Sequence, residues 1–381
     1  MKTIYFDYNA TTPLDANVRE AMLPFLDEIF GNPSSVHHVG RRARALLDDA
    51  RERVAGVWRC KPSEVVFSSG GTESNNLAIL GTARSFREKG RHLITSTIEH
   101  HAVLNCFEYL EKNESFSVTY LPASSEGLIS PEDLKNAIRP DTILVSLMSA
   151  NNEMGAIQPV AEFGEICRSR GILFHTDALQ SFGKESFTGM DQFNADLVSF
   201  CAHKLHGPKG TGALFIKSPL HPEPMILGGS HENERRAGTE NVPAIIGMAY
   251  AVENFLISPV FPAEHLNKLT AHLIQFLNSL EGVQFRGSKA HRLSNTVAFT
   301  IEGCDSSTLL AGLDLEGICA SSGSACASGA LEPSHVMLAM GVEKRLASSL
   351  VRFSLGRDST MEEVLAVEGA LQTVIKQARN P

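Results

Sequence analysis

The feature that most constrains this chain is an alternation: over residues 64–216, short apolar runs rich in β-formers take turns with stretches of helical period. The runs fall at 65–69, 92–95, 117–121, 142–148, 172–178, 196–204 and 212–217, and helical segments begin after Thr72, run through Leu110 and cover 159–170. Strands separated by helices predict a mostly parallel sheet covered on both faces, and ligands of such α/β sheets gather at the carboxyl ends of the strands. Beyond this region, 242–255 reads as a helix, and Pro259 and Pro262 interrupt the pattern before an amphipathic segment near His265. The rest holds an apolar run at 294–301, a helix near Leu309, a glycine- and serine-rich stretch, a run at 350–355 and a closing helix. With 381 residues to distribute, the expectation is a large domain over 14–257 and a small α+β domain made of 1–13 and 258–381.

Charge narrows the function classes. A formal net charge of -9 disfavours nucleic-acid binding, which draws its affinity from clustered Lys and Arg. The most basic stretch, Arg41, Arg42, Arg44, Arg51 and Arg53, is interleaved with Asp48, Asp49 and Glu52 and reads as a solvated helix face with mixed ion pairs. No run of about 18 apolar residues occurs, and the opening MKTIYFDYNATTP lacks a basic segment followed by an apolar one, so neither membrane spanning nor secretion is expected. Seven scattered cysteines without a C-x-x-C pair suit a reducing cytoplasm. The pairs His37-His38, His100-His101 and His203 with His206 lack companion cysteines at metal-binding intervals, so no intrinsic metal site is expected.

Three segments carry chemistry. In Ser68-Ser69-Gly70-Gly71-Thr72-Glu73-Ser74-Asn75, glycines at a strand end let backbone N–H groups approach an anion at a helix start, although an ordinary N-cap turn has the same look. In His175-Thr176-Asp177-Ala178-Leu179-Gln180, an acid just past a buried strand is placed either to cap the next helix or to hold a pyridine nitrogen protonated. In Cys201-Ala202-His203-Lys204-Leu205-His206-Gly207-Pro208, a lysine at a strand end beside a histidine is where a Schiff-base amine would be held. Phosphate cradle, acid and lysine follow one another on successive strand ends, and that order is far more specific than any member.

At these residues the chain resembles the NifS/IscS type of cysteine desulfurase, a branch of the class V aminotransferase family with the aspartate-aminotransferase fold (fold type I). The resemblance extends from Tyr5-Phe6-Asp7-Tyr8-Asn9-Ala10-Thr11-Thr12-Pro13 to Arg352-Phe353-Ser354-Leu355-Gly356-Arg357. Further marks are Gly31-Asn32-Pro33-Ser34-Ser35, Glu99-His100-His101, Asn151-Asn152-Glu153-Met154-Gly155, Arg235-Arg236-Ala237-Gly238-Thr239-Glu240-Asn241 and Ser321-Ser322-Gly323-Ser324-Ala325-Cys326. It implies a seven-stranded, mostly parallel sheet in the large domain and pyridoxal 5'-phosphate as cofactor. Lys204 would hold the cofactor covalently, Asp177 would pair with its ring nitrogen, and His100 would stack on the ring and exchange protons. Gln180 would hydrogen-bond the phenolic oxygen, with Asn152 near that oxygen and the substrate; Gly71, Thr72 and His203 would bind the phosphate. Thr239 would reach the phosphate of a neighbouring subunit, which implies a homodimer with shared active sites. Arg352 would grip the substrate carboxylate, a task suited to its planar fork, and Asn32 is a further substrate-binding candidate. One position departs from the pattern: Cys201 stands where the family usually has a phosphate-binding serine, and a thiol is a weak donor.

Cys326 decides the reaction. Its surroundings, 321–330, contain only Ser, Gly, Ala and Cys and are expected to be mobile. The resemblance implies that its thiolate attacks the sulfur of cofactor-bound cysteine, giving a persulfide and alanine, and that a moving loop then hands the sulfur on. The implied recipients are iron–sulfur scaffold proteins or other sulfur acceptors, and Cys326 could transiently ligate a cluster there. The competing readings are a selenocysteine lyase, a cysteine β-lyase that dispenses with Cys326, and a degenerate scaffold partner of another desulfurase.

Overall fold

The computed structural model describes residues 3–323 and 333–379. Among the described residues, twelve strands form three sheets. The largest takes β2 (Val65–Ser68), β3 (His92–Ser96), β4 (Ser117–Leu121), β5 (Thr142–Ser146), β6 (Leu173–Asp177), β7 (Leu197–Cys201) and β8 (Gly212–Ile216) in the order β2-β8-β7-β6-β5-β3-β4. All neighbours are parallel except β8, which runs antiparallel to both β2 and β7. The expected seven strands and their mostly parallel sense are therefore present. Strands β2, β3, β5, β7 and β8 are buried along their whole length, as a sheet covered on both faces requires, whereas the edge strand β4 is only half-buried.

The remaining strands build two smaller sheets. β1 (Ile4–Tyr5) pairs in parallel with β11 (Ile318–Cys319), and β10 (Thr296–Ile301) lies between β9 (Val283–Arg286) and β12 (Val351–Ser354), antiparallel to both. Helices Ala263–Ser279, Ser306–Leu315 and Met361–Arg379 accompany them. One hydrophobic cluster joins Phe174 and Phe200 of the large sheet to Phe299 and Phe353 of the three-stranded sheet.

The basic helix, His38–Trp58, departs in part from its expectation. Arg44 with Asp48 does form an i,i+4 pair on the solvent side, while Arg53, 3.7 Å from Asp49, is half-buried and donates through Nε at 2.9 Å and Nη2 at 2.5 Å to Glu253. Arg51 instead turns inward, where its guanidinium donates to both carboxylate oxygens of Glu232 at 2.6 and 2.7 Å and to the Val65 carbonyl at 2.7 Å. The Glu232 carboxylate also accepts from the Phe67 N–H at 2.9 Å, so the pair ties that helix and β2 to residues 232–234, three consecutive left-handed residues with φ of 50°, 54° and 64°.

Candidate active site

The carboxyl ends of β2, β3, β5, β6 and β7 open onto one cavity of about 210 Å³. Its lining includes Gly71 and Thr72 after β2, His100 after β3, Asn152 after β5, Asp177 and Gln180 at the end of β6, and His203 and Lys204 after β7. Eight of the expected residues thus meet, because a parallel sheet delivers the ends of its strands to one edge.

Local structure fixes each group. Gly70 has φ of +151°, a conformation that favours glycine, and a Cβ on Gly71 would lie 2.0 Å from Leu179 Cδ2. The two glycines therefore allow the backbone of the helix start Gly71–Asn76 to sit directly against the turn that follows β6. On the other side of that turn, Asp177 Oδ2 accepts from Asn75 Nδ2 at 2.7 Å and Oδ1 from the Leu179 N–H at 3.0 Å. Asp177 is 6% exposed, and among the described residues no Lys, Arg or His forms an ion pair with it. A buried carboxylate held only by neutral donors calls for a cationic partner.

His100 caps the helix His101–Asn113: its Nδ1 accepts from the Ala102 N–H at 3.0 Å. Burial, and after it the charge of Lys204, push its pKa down to about 4 against the opposing pull of Asp177. The ring is therefore neutral at pH 7 with its proton on Nε2, the nitrogen left free to exchange it. His203 is also pushed down to about 4 by burial and then by Lys204 and Lys209, and its Nδ1 lies 3.2 Å from Thr11 Oγ1.

Arg352, Thr239, Asn32 and Cys201, also predicted, do not line this cavity. Arg352, 2% exposed, donates through Nη1 to the carbonyls of Asn152 and Gly323, both at 2.8 Å, and through Nη2 to Asp7 at 2.6 Å. Of its five N–H donors, Nε–H and one on Nη2 stay uncommitted among the described residues. Thr239 lines a second cavity, of about 160 Å³, with Ser68, Ser69, Glu232 and Arg236. Asn32 folds back on itself, its Oδ1 accepting from the Ser34 N–H at 2.8 Å, and does not line the 210 Å³ cavity. Cys201 is 2% exposed, does not line the cavity, and is pushed up to about 11 by burial. Cys326 lies outside the described residues.

Sequence reasoning gave no role to Asn75, Asn9 or Lys184. Asn75 supports Asp177, and its spacing of four from Gly71 along one helix was the available signal. Lys184 is 1% exposed and its Nζ donates to Gln180 Oε1 and Asn9 Oδ1, both at 2.6 Å. The one hint was its place four residues after Gln180.

The donor set suits pyridoxal phosphate: glycine backbone and a threonine hydroxyl for a phosphate, an unpaired buried carboxylate for a pyridinium, and an amine beside it. Comparison with known proteins agrees. The aminotransferase class-V family model matches residues 4–367. The chain is 46% identical over 379 residues to the cysteine desulfurase IscS of Dictyoglomus turgidum, covering 99% of this chain and 96% of that one. Among solved structures, a NifS-like protein superposes with a TM-score of 0.90 at 38% identity, covering 99% of both chains. A second structure, SspA in complex with cysteine, gives a TM-score of 0.81 at 38% identity over 94% of this chain and all of the other. The chain belongs to the class-V aminotransferase family, in its IscS/NifS-like branch.

Proposed function

We propose that this protein is a cysteine desulfurase: it converts L-cysteine to L-alanine and takes up the sulfur as a persulfide on Cys326. The observation that carries the reading is the meeting, in one cavity, of the Lys204 amine, the unpaired buried carboxylate of Asp177 and the neutral ring of His100. Lys204, Asp177, Gln180, Gly71, Thr72 and His203 hold pyridoxal phosphate, which when bound supplies an electron sink that acidifies Cα of an attached amino acid and labilises its Cβ substituent. Asp177 keeps the electron sink protonated, Lys204 takes the Cα proton, and His100 delivers or receives protons through Nε2. The two uncommitted N–H groups of Arg352 receive the substrate carboxylate next to Asn152.

Sulfur transfer needs a thiolate. Burial, the first cause in each case, raises the pKa of all six described cysteines, with Cys60, Cys106 and Cys167 pushed up to about 12. None of them has the depressed pKa of an activated nucleophile, which supports the assignment of that role to Cys326 by family resemblance and by its Ser-, Gly- and Ala-rich surroundings. Its sulfur bonds to the substrate sulfur as the Cβ–S bond breaks; the carbon fragment takes up a proton and leaves as alanine, so cysteine and thiol balance alanine and persulfide.

The wider reading is a homodimer in which Thr239, outside its own chain's cavity, serves the phosphate of the partner. Asn32 contributes to substrate binding, and the domains are 14–257 and 1–13 with 258–381. Cys201, buried and outside the cavity lining, leaves the direct phosphate contacts to Gly71, Thr72 and His203. The persulfide passes to an iron–sulfur scaffold or another sulfur acceptor in the reducing cytoplasm. The test is a pair of variants: Lys204→Ala is expected to lose the visible absorbance of the bound cofactor, and Cys326→Ser to keep it while alanine formation from cysteine collapses. Alanine formed by Cys326→Ser at the parent rate would leave a β-eliminating lyase as the better reading.

A further inference from the structure

Lys184 is buried with no carboxylate partner among the described residues, a costly placement for a lysine. Its Nζ sits between two amide oxygens, Gln180 Oε1 and Asn9 Oδ1, with the Phe261 ring centroid 5.4 Å away. Burial, and then the charges of Lys204 and Arg352, hold its pKa well below the usual lysine range, and its N–H groups meet both amide oxygens.

The Asn9 amide is itself anchored. Its Oδ1 also accepts from Asn295 Nδ2 at 3.1 Å, and its Nδ2 donates to Thr296 Oγ1 at 2.9 Å. Gln180 has no such independent anchor. Its Oε1 faces Lys184, and one Nε2–H goes to the Asn9 carbonyl at 3.1 Å, so the second Nε2–H is what this side chain offers the cavity it lines. Without Lys184, Oε1 would be a buried acceptor with no donor. That cost is at least as large as the gain from the single bond to Asn9, so the amide would lose its preference for one end.

We infer that Lys184 is a positioning residue that fixes the Gln180 amide with its N–H toward the cavity, so that Gln180 acts on the bound cofactor only as a donor. The inference rests on the proposed placement of Gln180 against the phenolic oxygen. A donor there withdraws charge from the oxygen and makes the neighbouring protonated nitrogen linkage to Lys204 more acidic. Losing the donor raises the pH midpoint of the visible absorbance change.

The test is a double-mutant cycle on that midpoint in the cofactor-loaded protein, using Lys184→Met, Gln180→Leu and the double variant, with thermal unfolding as the control for folding. Lys184→Gln, a milder polar change, is carried through the same cycle so that a poorly folded methionine variant does not end the experiment. Expected are upward shifts of about one pH unit in both single variants, less for Lys184→Gln, and no added shift in the double variant beyond Gln180→Leu alone. A Lys184 shift that persists in full in the Gln180→Leu background, or no Lys184 shift beside a clear Gln180 one, overturns the inference. An unshifted midpoint in Gln180→Leu overturns it by removing the placement of Gln180 on which it rests. Absence of any visible band in the parent protein removes the cofactor reading itself.

Discussion

His100 shows how one side chain is given a single chemical role. Capping the helix His101–Asn113 consumes the Nδ1 lone pair, and burial beside Lys204 pushes its pKa down to about 4, so only Nε2–H remains for proton exchange. His100→Gln is expected to lower kcat roughly 100-fold, the scale of a general acid–base group. It should do so without changing the shape of the pH profile between 5 and 8, because the native ring does not titrate there. An acid limb near pH 6.5 that disappears in the variant would refute this assignment. At Asp177 the distinguishing feature is the missing cation, so Asp177→Asn should retain the fold and lose turnover by roughly 100-fold or more. The check is a steady-state assay beside an unchanged far-ultraviolet circular dichroism spectrum. That Asp177 and Lys204 would meet at one edge of the sheet was legible because each sits in a short segment at a strand end, whereas His100 entered only through the family resemblance. Lys184 was not legible: its anchor Asn9 lies 175 residues away, and such a partnership leaves no trace in local composition.

The same distinction recurs among the elements. Alternating runs announced every strand of the large sheet, yet they carry no sign of direction, and the antiparallel sense of β8 emerged only from its pairing with β2 and β7. Charge interleaving on the helix His38–Trp58 described Arg44 but missed Arg53, whose main partner Glu253 is 200 residues away, and Arg51, whose partner Glu232 is 181 residues distant. That pair anchors residues 232–234, whose left-handed backbone is unfavourable for non-glycine residues, at the start of the segment bearing Thr239. Glu232→Gln leaves the Arg51 charge buried without its counter-charge and is expected to cost about 3 kcal/mol. Equilibrium denaturation reads this as a lower midpoint, and a change under 1 kcal/mol would show the pair to be incidental. Cofactor retention should weaken together with stability if Thr239 serves the neighbouring subunit.

For the whole molecule, the chain returns repeatedly to one edge of one sheet, and residues separated by more than a hundred positions share a cavity of about 210 Å³. That convergence was legible, since strand ends of a parallel sheet can meet nowhere else; the way Asn9 stitches Lys184 to Asn295 and Thr296 was not, because it depends on packing between distant segments. Acid stability follows from groups buried away from the site. Burial pushes His92, His175 and His206 down to about 4, so between pH 6.5 and 4 the unfolded chain binds more protons and stability falls on acidification. Glu99, pushed up to about 8 by burial, works the other way, binding a proton in the folded state between pH 4.5 and 8, and Glu153 and Glu185, also raised by burial, act in the same direction. The three histidines, joined by His100 and His203, outnumber them, so Tm is expected to drop as pH goes from 6.5 to 4.5; a Tm that rises over this interval would contradict the balance. The most direct measurement is intact and peptide mass spectrometry after brief exposure of the cofactor-loaded protein to L-cysteine. One added sulfur on the peptide containing Cys326, with one alanine released for each sulfur bound, is the expected result; alanine formed with no sulfur on Cys326, or sulfur lodged on another cysteine, would contradict it.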